Sequence, residues 1–284
     1  MNLWLTVRLP KMPSPLEGER LYALIDAAQV DRLTDRASGL RGVQRHEPVY
    51  STPLARDRAD ATPHVLELRD LDAYQGLVRG DFGDALSFPG ALALLISPLD
   101  IVPMATRLRA RLDAQLPDRF ECVNRYYDAR ITPHLHAVLH ESQRANFFSV
   151  CSQWWVVGHT HQWQSLPCAY MASDPFVAPL VLDEVQQARM IDACYPYTVI
   201  EHFAQTDEEL LETVPASQRY GFFRQALAAA ARFGIDGGAS AILFCTLALT
   251  RGPVFYTLAE WQSSLERVKR GELTLQQAVK AQHD

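Results

Sequence analysis

Leu21-Tyr22-Ala23-Leu24-Ile25-Asp26 is a short apolar run that ends on an acidic residue. A run of this length without alternating polar residues is wetted on neither face, so it reads as a strand at the centre of a sheet. Ala91 to Ser97 has the same character and reads as a second central strand. Val65-Leu66-Glu67-Leu68 and Cys122 to Tyr127 supply two more. Gln153-Trp154-Trp155-Val156-Val157 and His161-Gln162-Trp163-Gln164-Ser165, separated by Gly158-His159-Thr160, form a hairpin pattern. Helices should separate the strands. Asp100 to Leu112 places Ile101, Met104, Ala105, Leu108 and Leu112 at three- and four-residue spacing, with Arg107, Arg109 and Arg111 projecting elsewhere and Pro103 in the tolerant first turn. Arg36 to Thr62, rich in Arg, Asp, Pro and small residues, reads as a long surface connection.

Pro167 to Pro179 is proline-punctuated and reads as a linker, and beyond it strand signals nearly vanish. Asp183, Asp207 and Asp236 stand where helices should start, because a carboxylate there accepts from free N–H groups and suits the positive end of the helix dipole. Arg219 to Phe233 carries Phe222, Phe223, Ala226, Leu227, Ala230 and Phe233 on one broad face and stops at Gly234. Ala239 to Leu249 reads as a buried helix, and Leu258 to Ala281 as two short helices around Gly271. The expected fold is α+β: a mixed α/β N-terminal lobe, residues 1–180, and a separate all-helical C-terminal lobe, residues 181–284.

The 284 residues are 48% hydrophobic and 21% charged, enough to bury an ordinary core in one large or two modest domains. A formal net charge of −6 leaves no basic surplus for a phosphate backbone, which argues against a nucleic-acid partner. Cys122, Cys151, Cys168, Cys194 and Cys245 are odd in number, widely spaced and free of C-x-x-C pairs, so reduced thiols are expected. The opening Met1 to Leu5, followed by Arg8, Pro10, Lys11 and Pro13, lacks the pattern of an export signal. Ala239 to Leu249 is the longest strongly apolar stretch and falls well short of the ~20 residues a membrane-spanning helix needs. The expectation is a cytoplasmic protein without stable membrane insertion.

The chain contains no G-x-S-x-G elbow, no phosphate-binding P-loop, no G-x-G-x-x-G after a strand and no H-E-x-x-H. No catalytic residue, metal or cofactor is assigned. His136 and His140 stand four apart, on what should be one helical face, and His159 and His161 stand two apart in the hairpin. Those four could in principle serve a metal-dependent hydrolase, although neither pair lies in a recognised ligand motif. Gly237-Gly238 reads as a capping turn before the apolar helix.

Arg125-Tyr126-Tyr127-Asp128-Ala129-Arg130 is the most distinctive constellation. It reads as structural: Asp128 would cap a helix starting near Ile131, while Arg125 and Arg130 bond carboxylates or carbonyls at the sheet end. Trp154 and Trp155, adjacent in a strand, must point to opposite faces. One should be core and the other needs a second cover, either the helical lobe or a bound partner; Trp154, Trp155 and Trp163 are the candidates for partner binding, with the groove between the lobes as the expected surface, because aromatic anchors dominate interface energetics.

These stretches resemble the adaptor-chaperone family of type VI secretion. Leu21 to Ala28 is similar to the family's opening strand, Y-A-L-h-D-x-A, where h is apolar. Arg125 to Arg130, the leucine-spaced helix to Leu139 and Gln143-Arg144-Ala145-Asn146-Phe147-Phe148 resemble its F-R-F-Y-D-P-R segment, helix and Q-R-x-x-F-F. Ala229 to Gly234 and the helix that follows resemble a later, weaker pattern. Asn124 stands where the family usually has Phe, and Ala129 where it usually has Pro. The resemblance implies a non-enzymatic adaptor that holds an effector's N-terminal region and delivers it to the valine-glycine-repeat spike protein, VgrG. A structural component of the secretion baseplate is a further alternative, expected to form stable homo-oligomers.

Overall fold

A computed structural model describes residues 14–30, 33, 37–50, 62–77 and 91–282. The export-signal reading of residues 1–13 therefore lies outside the described residues. The chain forms two compact units, Met1–Ile191 and Asp192–Asp284.

The strands of the first unit are β1 (Arg20–Ile25), β2 (Val43–Pro48), β3 (His64–Leu68), β4 (Leu92–Ser97), β5 (Asp113–Gln115), β6 (Glu121–Val123), β7 (Gln153–Val157), β8 (Trp163–Leu166) and β9 (Leu180–Val181). Its short helices are α1 (Leu71–Gly76), α2 (Ile101–Ala110), α3 (Thr132–Val138) and α4 (Glu141–Phe147). Six strands make one antiparallel sheet in the order β2-β3-β1-β4-β7-β8, and three make a small sheet in the order β6-β5-β9. β1 and β4 are the two central strands, as their unbroken apolar runs predict. Leu24 lies opposite both Val65 and Ala93, and Leu21 opposite Leu68 and Ile96.

Both faces of the sheet are covered, which is why these strands lack alternation. One face buries Tyr22, Leu24, Val65, Leu95 and Trp154 against Met104 and Leu108 of α2 and against Phe147 and Phe148. The other buries Leu21, Ala23, Ile25, Leu66, Leu94 and Ile96 against Leu33, Leu40 and Tyr74. Each fully buried Leu or Ile contributes about 1.5–3 kcal/mol from area removed from water, and both layers meet at β1.

The connection expected over Arg36 to Thr62 contains β2, while residues 51–61 lie outside the described residues. β2 is an edge strand with polar side chains, a bulge between Val43 and Arg45 and a terminal Pro48, so it carries no apolar signature. The strand expected over Cys122 to Tyr127 is only Glu121–Val123 and belongs to the small sheet. After it the Asn124 N–H donates to the Leu112 carbonyl, 2.7 Å, and the chain turns. The second hairpin strand starts at Trp163 rather than His161, because His161 takes a left-handed turn conformation with φ 58°.

Pro167 to Pro179 is not a free linker. Arg107 donates to the carbonyls of Met171 and Ala172, Asp174 pairs with Arg111, and Phe176 packs edge-on against Phe147. β9 then adds in parallel to β5, with Ala114 opposite Leu180.

Helix α5 (Glu184–Thr206) contains the point of division between the units. It is followed by α6 (Glu208–Glu212), α7 (Ala216–Ala231), α8 (Gly238–Arg251), α9 (Ala259–Lys269) and α10 (Leu275–Lys280). Every regular element described after Val181 is a helix, which gives the α+β class with a helical C-terminal part. The core of the second unit stacks Phe203 on Phe223 with centroids 5.5 Å apart and sets Phe255 edge-on to Trp261 at 5.1 Å. Phe244 is wholly buried among them.

Asp183 and Asp207 cap as expected, accepting from the backbone N–H groups of Gln186 at 2.8 Å and Leu210 at 3.1 Å. Asp236 does not cap α8; the preceding-residue role falls to Gly237. α7 ends in a left-handed Gly234, φ 73°, with the Ile235 N–H reaching back to the Ala230 carbonyl, the six-to-one bond of a Schellman turn. Among the described residues no helix is long and apolar enough to cross a membrane.

Candidate functional site

The Arg125 to Arg130 segment packs where β1 ends. Tyr126 is wholly buried, donates its hydroxyl to the Leu108 carbonyl at 2.7 Å, and meets Phe147 and Trp154 edge-on. Desolvation pushes its hydroxyl far above the usual tyrosine range. Asp128 is buried and grips Arg130 in a fork, Nε to Oδ1 at 2.9 Å and Nη2 to Oδ2 at 2.6 Å. The Asp128 backbone carbonyl, rather than its side chain, receives the N–H groups of Ile131 and Thr132 as α3 begins. The expected helix cap is thus replaced by a side-chain ion pair.

Arg125 crosses to the end of β1 and donates to Asp26 Oδ2 at 3.2 Å, with its guanidinium 5.8 Å from the Tyr127 ring centroid. Asp26 is itself buried and accepts from the Ala28 N–H. Burial raises its carboxyl above the usual range despite that bond and the nearby Arg125 charge. Two cations and two carboxylates therefore neutralise one another within the fold. Both arginines have carboxylate partners, and the arrangement ties β1 to the start of α3.

The three tryptophans of the hairpin part company. Trp154 is fully buried on the face shared with Phe148 and Tyr126. Trp155 and Trp163 lie on the opposite face, both partly buried. Trp163 meets Tyr74 edge-on at 5.6 Å, and Trp155 donates its indole N–H to Gln153 at 3.0 Å. β8, which carries Trp163, is the last strand of the sheet, and its Gln164 and Ser165 are exposed.

The histidines occupy separate settings. α3 stops at Val138 and Leu139 is extended, so His136 and His140 do not share a helical face; His140 instead opens α4. His136 Nε2 lies 2.9 Å from the Pro167 carbonyl, and His140 Nε2 lies 2.9 Å from Asp183. His159 and His161 lie in the hairpin turn. Among the described residues no group of three or more His, Cys, Asp or Glu is placed to hold a metal ion.

Arg111, expected to project away from the apolar stripe of its helix, is instead buried on it. Arg111 has no exposed side-chain surface and bonds Asp174 twice, at 2.9 and 2.7 Å, as well as the Phe147, Arg107 and Asn146 carbonyls. Its guanidinium sits 4.6 Å from the Phe176 ring centroid. The signal lay in the spacing: Arg111 follows Leu108 by three and Met104 by seven, on the apolar stripe itself.

In the second unit, a cleft of about 360 Å³ is lined by Tyr195, Pro196, Leu227, Ala231 and Ile235, with Arg224 and Asp192 also at its wall. Its lining is mostly apolar.

The fold and site define a two-unit α+β protein whose most distinctive polar cluster is internally paired and whose sheet ends in a tryptophan hairpin. Residues 21–146, from β1 into α4, match a family described as a domain of unknown function, DUF4123. No curated protein matches the chain. No solved structure matches it.

Proposed function

We propose that this chain is a non-catalytic adaptor and chaperone that binds the N-terminal region of a type VI secretion effector and helps load it onto the VgrG spike. The observation that carries this reading is the hairpin. Trp155 and Trp163 lie partly buried on one face of the outer end of the sheet, where large amphipathic rings can add contact area at little entropic cost. The internal pairing of Asp26, Arg125, Asp128 and Arg130 supports it, because those charges are occupied in holding the fold. The likeness of the Leu21 to Ala28 and Arg125 to Phe148 stretches to the type VI adaptors supports the partner class. An effector with apolar segments needs a covering surface before export, and a chaperone that binds them stabilises that state by mass action.

The test is co-expression of an effector N-terminal fragment with the full chain carrying Trp155→Ala and Trp163→Ala together. Anchor side chains of the hot-spot class are worth about 2 kcal/mol or more each, so loss of one should weaken capture ~30-fold and additive loss of both roughly a thousandfold. Unchanged capture by a double variant with wild-type circular dichroism refutes the assignment of the surface. A chain that captures no effector fragment in its unaltered form refutes the function.

A further inference from the structure

Cys151 and Cys168 flank the hairpin, one two residues before β7 and the other two residues after β8. The register that sets Trp154 opposite Leu166 brings the two flanks side by side, and the sulfur atoms stand 3.9 Å apart. Cys151 is wholly buried, and Cys168 is partly open to solvent. Bond formation needs the sulfurs at about 2.05 Å, so a closure of about 2 Å separates contact from a covalent link.

We propose that Cys151 and Cys168 form an oxidation site, a dithiol that a hydroperoxide converts into an intramolecular disulfide tying the start of β7 to the end of β8. Cys168 is the attacking sulfur. It is the sulfur that an oxidant can reach, and its contact with Cys151 holds the Cys168 thiol below its usual range against the opposing effect of burial, with the Trp154 backbone N–H adding to the same effect. Burial pushes Cys151 well up, which suits the resolving partner. In the first step the Cys168 thiolate attacks one peroxide oxygen; the O–O bond breaks, Cys168 becomes a sulfenic acid, and the leaving oxygen takes up a proton as water or an alcohol. In the second, the Cys151 sulfur attacks the Cys168 sulfur, the S–O bond breaks, and hydroxide departs with the Cys151 proton as water. Two thiols lose two protons and two electrons, and one peroxide is reduced. The product pins the hairpin that carries Trp155 and Trp163.

The full chain treated with excess hydrogen peroxide, then alkylated with N-ethylmaleimide and digested without reductant, should yield a Cys151–Cys168 linked peptide about 2 Da lighter than its two thiol peptides, the loss of two hydrogens. Cys151→Ser should leave a sulfenic acid at Cys168 that dimedone traps, and Cys168→Ser should leave Cys151 as a free thiol. Recovery of both cysteines in the unaltered chain as alkylated thiols after prolonged peroxide exposure overturns the proposal. So does a disulfide mapped to any other pair. Both readouts use the unaltered chain, so misfolding of either variant does not decide the matter.

Discussion

Replacing Asp174 by alanine should loosen the first unit out of proportion to the exposure of that residue. The Asp174 side chain is 22% exposed, yet its fork engages Arg111, whose side chain is fully buried and cannot reach water when its partner is gone. Removing one member of a buried pair costs about 3–5 kcal/mol, because the remaining charge is left uncompensated. Three backbone carbonyls still face Arg111, which favours the lower end of that range. For a unit of this size each kcal/mol moves the midpoint about 2–4 °C, so a drop of about 6–12 °C is expected for the transition of the first unit. Near-ultraviolet circular dichroism against temperature reads the drop. Limited proteolysis between residues 167 and 182 reads whether that segment detaches first. Arg111, hydrogen bonds and the charge of Arg107 hold the Asp174 carboxyl below the usual range against the effect of burial. Its contribution is therefore complete above an unfolded carboxyl pKa of ~3.9 and is lost as pH falls through the folded value. Asp174→Asn should be less stable at neutral pH and should lack that acid-side loss. A midpoint within 2 °C of the unaltered chain, with no new cleavage between residues 167 and 182, would refute the reasoning.

Asp26→Asn should behave in the opposite sense: the folded pKa of Asp26 is raised, mainly by burial, so stability falls as pH rises from the unfolded value through the folded one. The variant should show a flatter pH profile there and lose no more than ~1 kcal/mol at neutral pH, the scale of a half-exposed ion pair with Arg125; urea titrations across that range check it. Gly42→Ala puts a methyl carbon 2.3 Å from Ala73 Cβ at a residue with φ 87°, and overpacking with strain should cost about 1–3 kcal/mol in the same titration. Phe244→Ala empties a site touched by Phe233, Phe255 and Tyr256, and should cost the second unit about 3–5 kcal/mol, read as early loss of helical circular dichroism on heating.

Where both faces of an element are apolar, residue order was enough to locate it. Leu21 to Ile25 and Leu92 to Ile96 lie at the centre of the sheet, and neither run contains a charged or amide side chain to mark a wetted face. β2 escaped for the converse reason: Gln44, Arg45 and Glu47 belong to an edge, where a strand has no need of apolar side chains. The Arg125 to Arg130 cluster could be found as a motif, but not its wiring. The partner of Arg125, Asp26, is far away in sequence, and only closure of the sheet brings the two together. Arg111 shows how a pattern rule can mislead, since a cation on an apolar stripe looks misplaced until a carboxylate from 63 positions later covers it. Likewise the split of Trp155 from Trp154 follows from strand alternation, whereas the face of Trp163 required the hairpin register, with Val157 opposite it, and the edge position of β8 required the strand order.

The late pairing of β9 with β5 bears on how the polypeptide matures during synthesis. Ala114 must wait for Leu180, and Arg111 for Asp174, so a nascent chain halted after α4 holds neither the third strand of the small sheet nor the counter-charge for its buried guanidinium. Such a chain also leaves the β4 edge open until Gln153 to Val157 emerges. Synthesis must therefore pass Val181 before this unit can lock, and fragments that end earlier should engage cellular holdases.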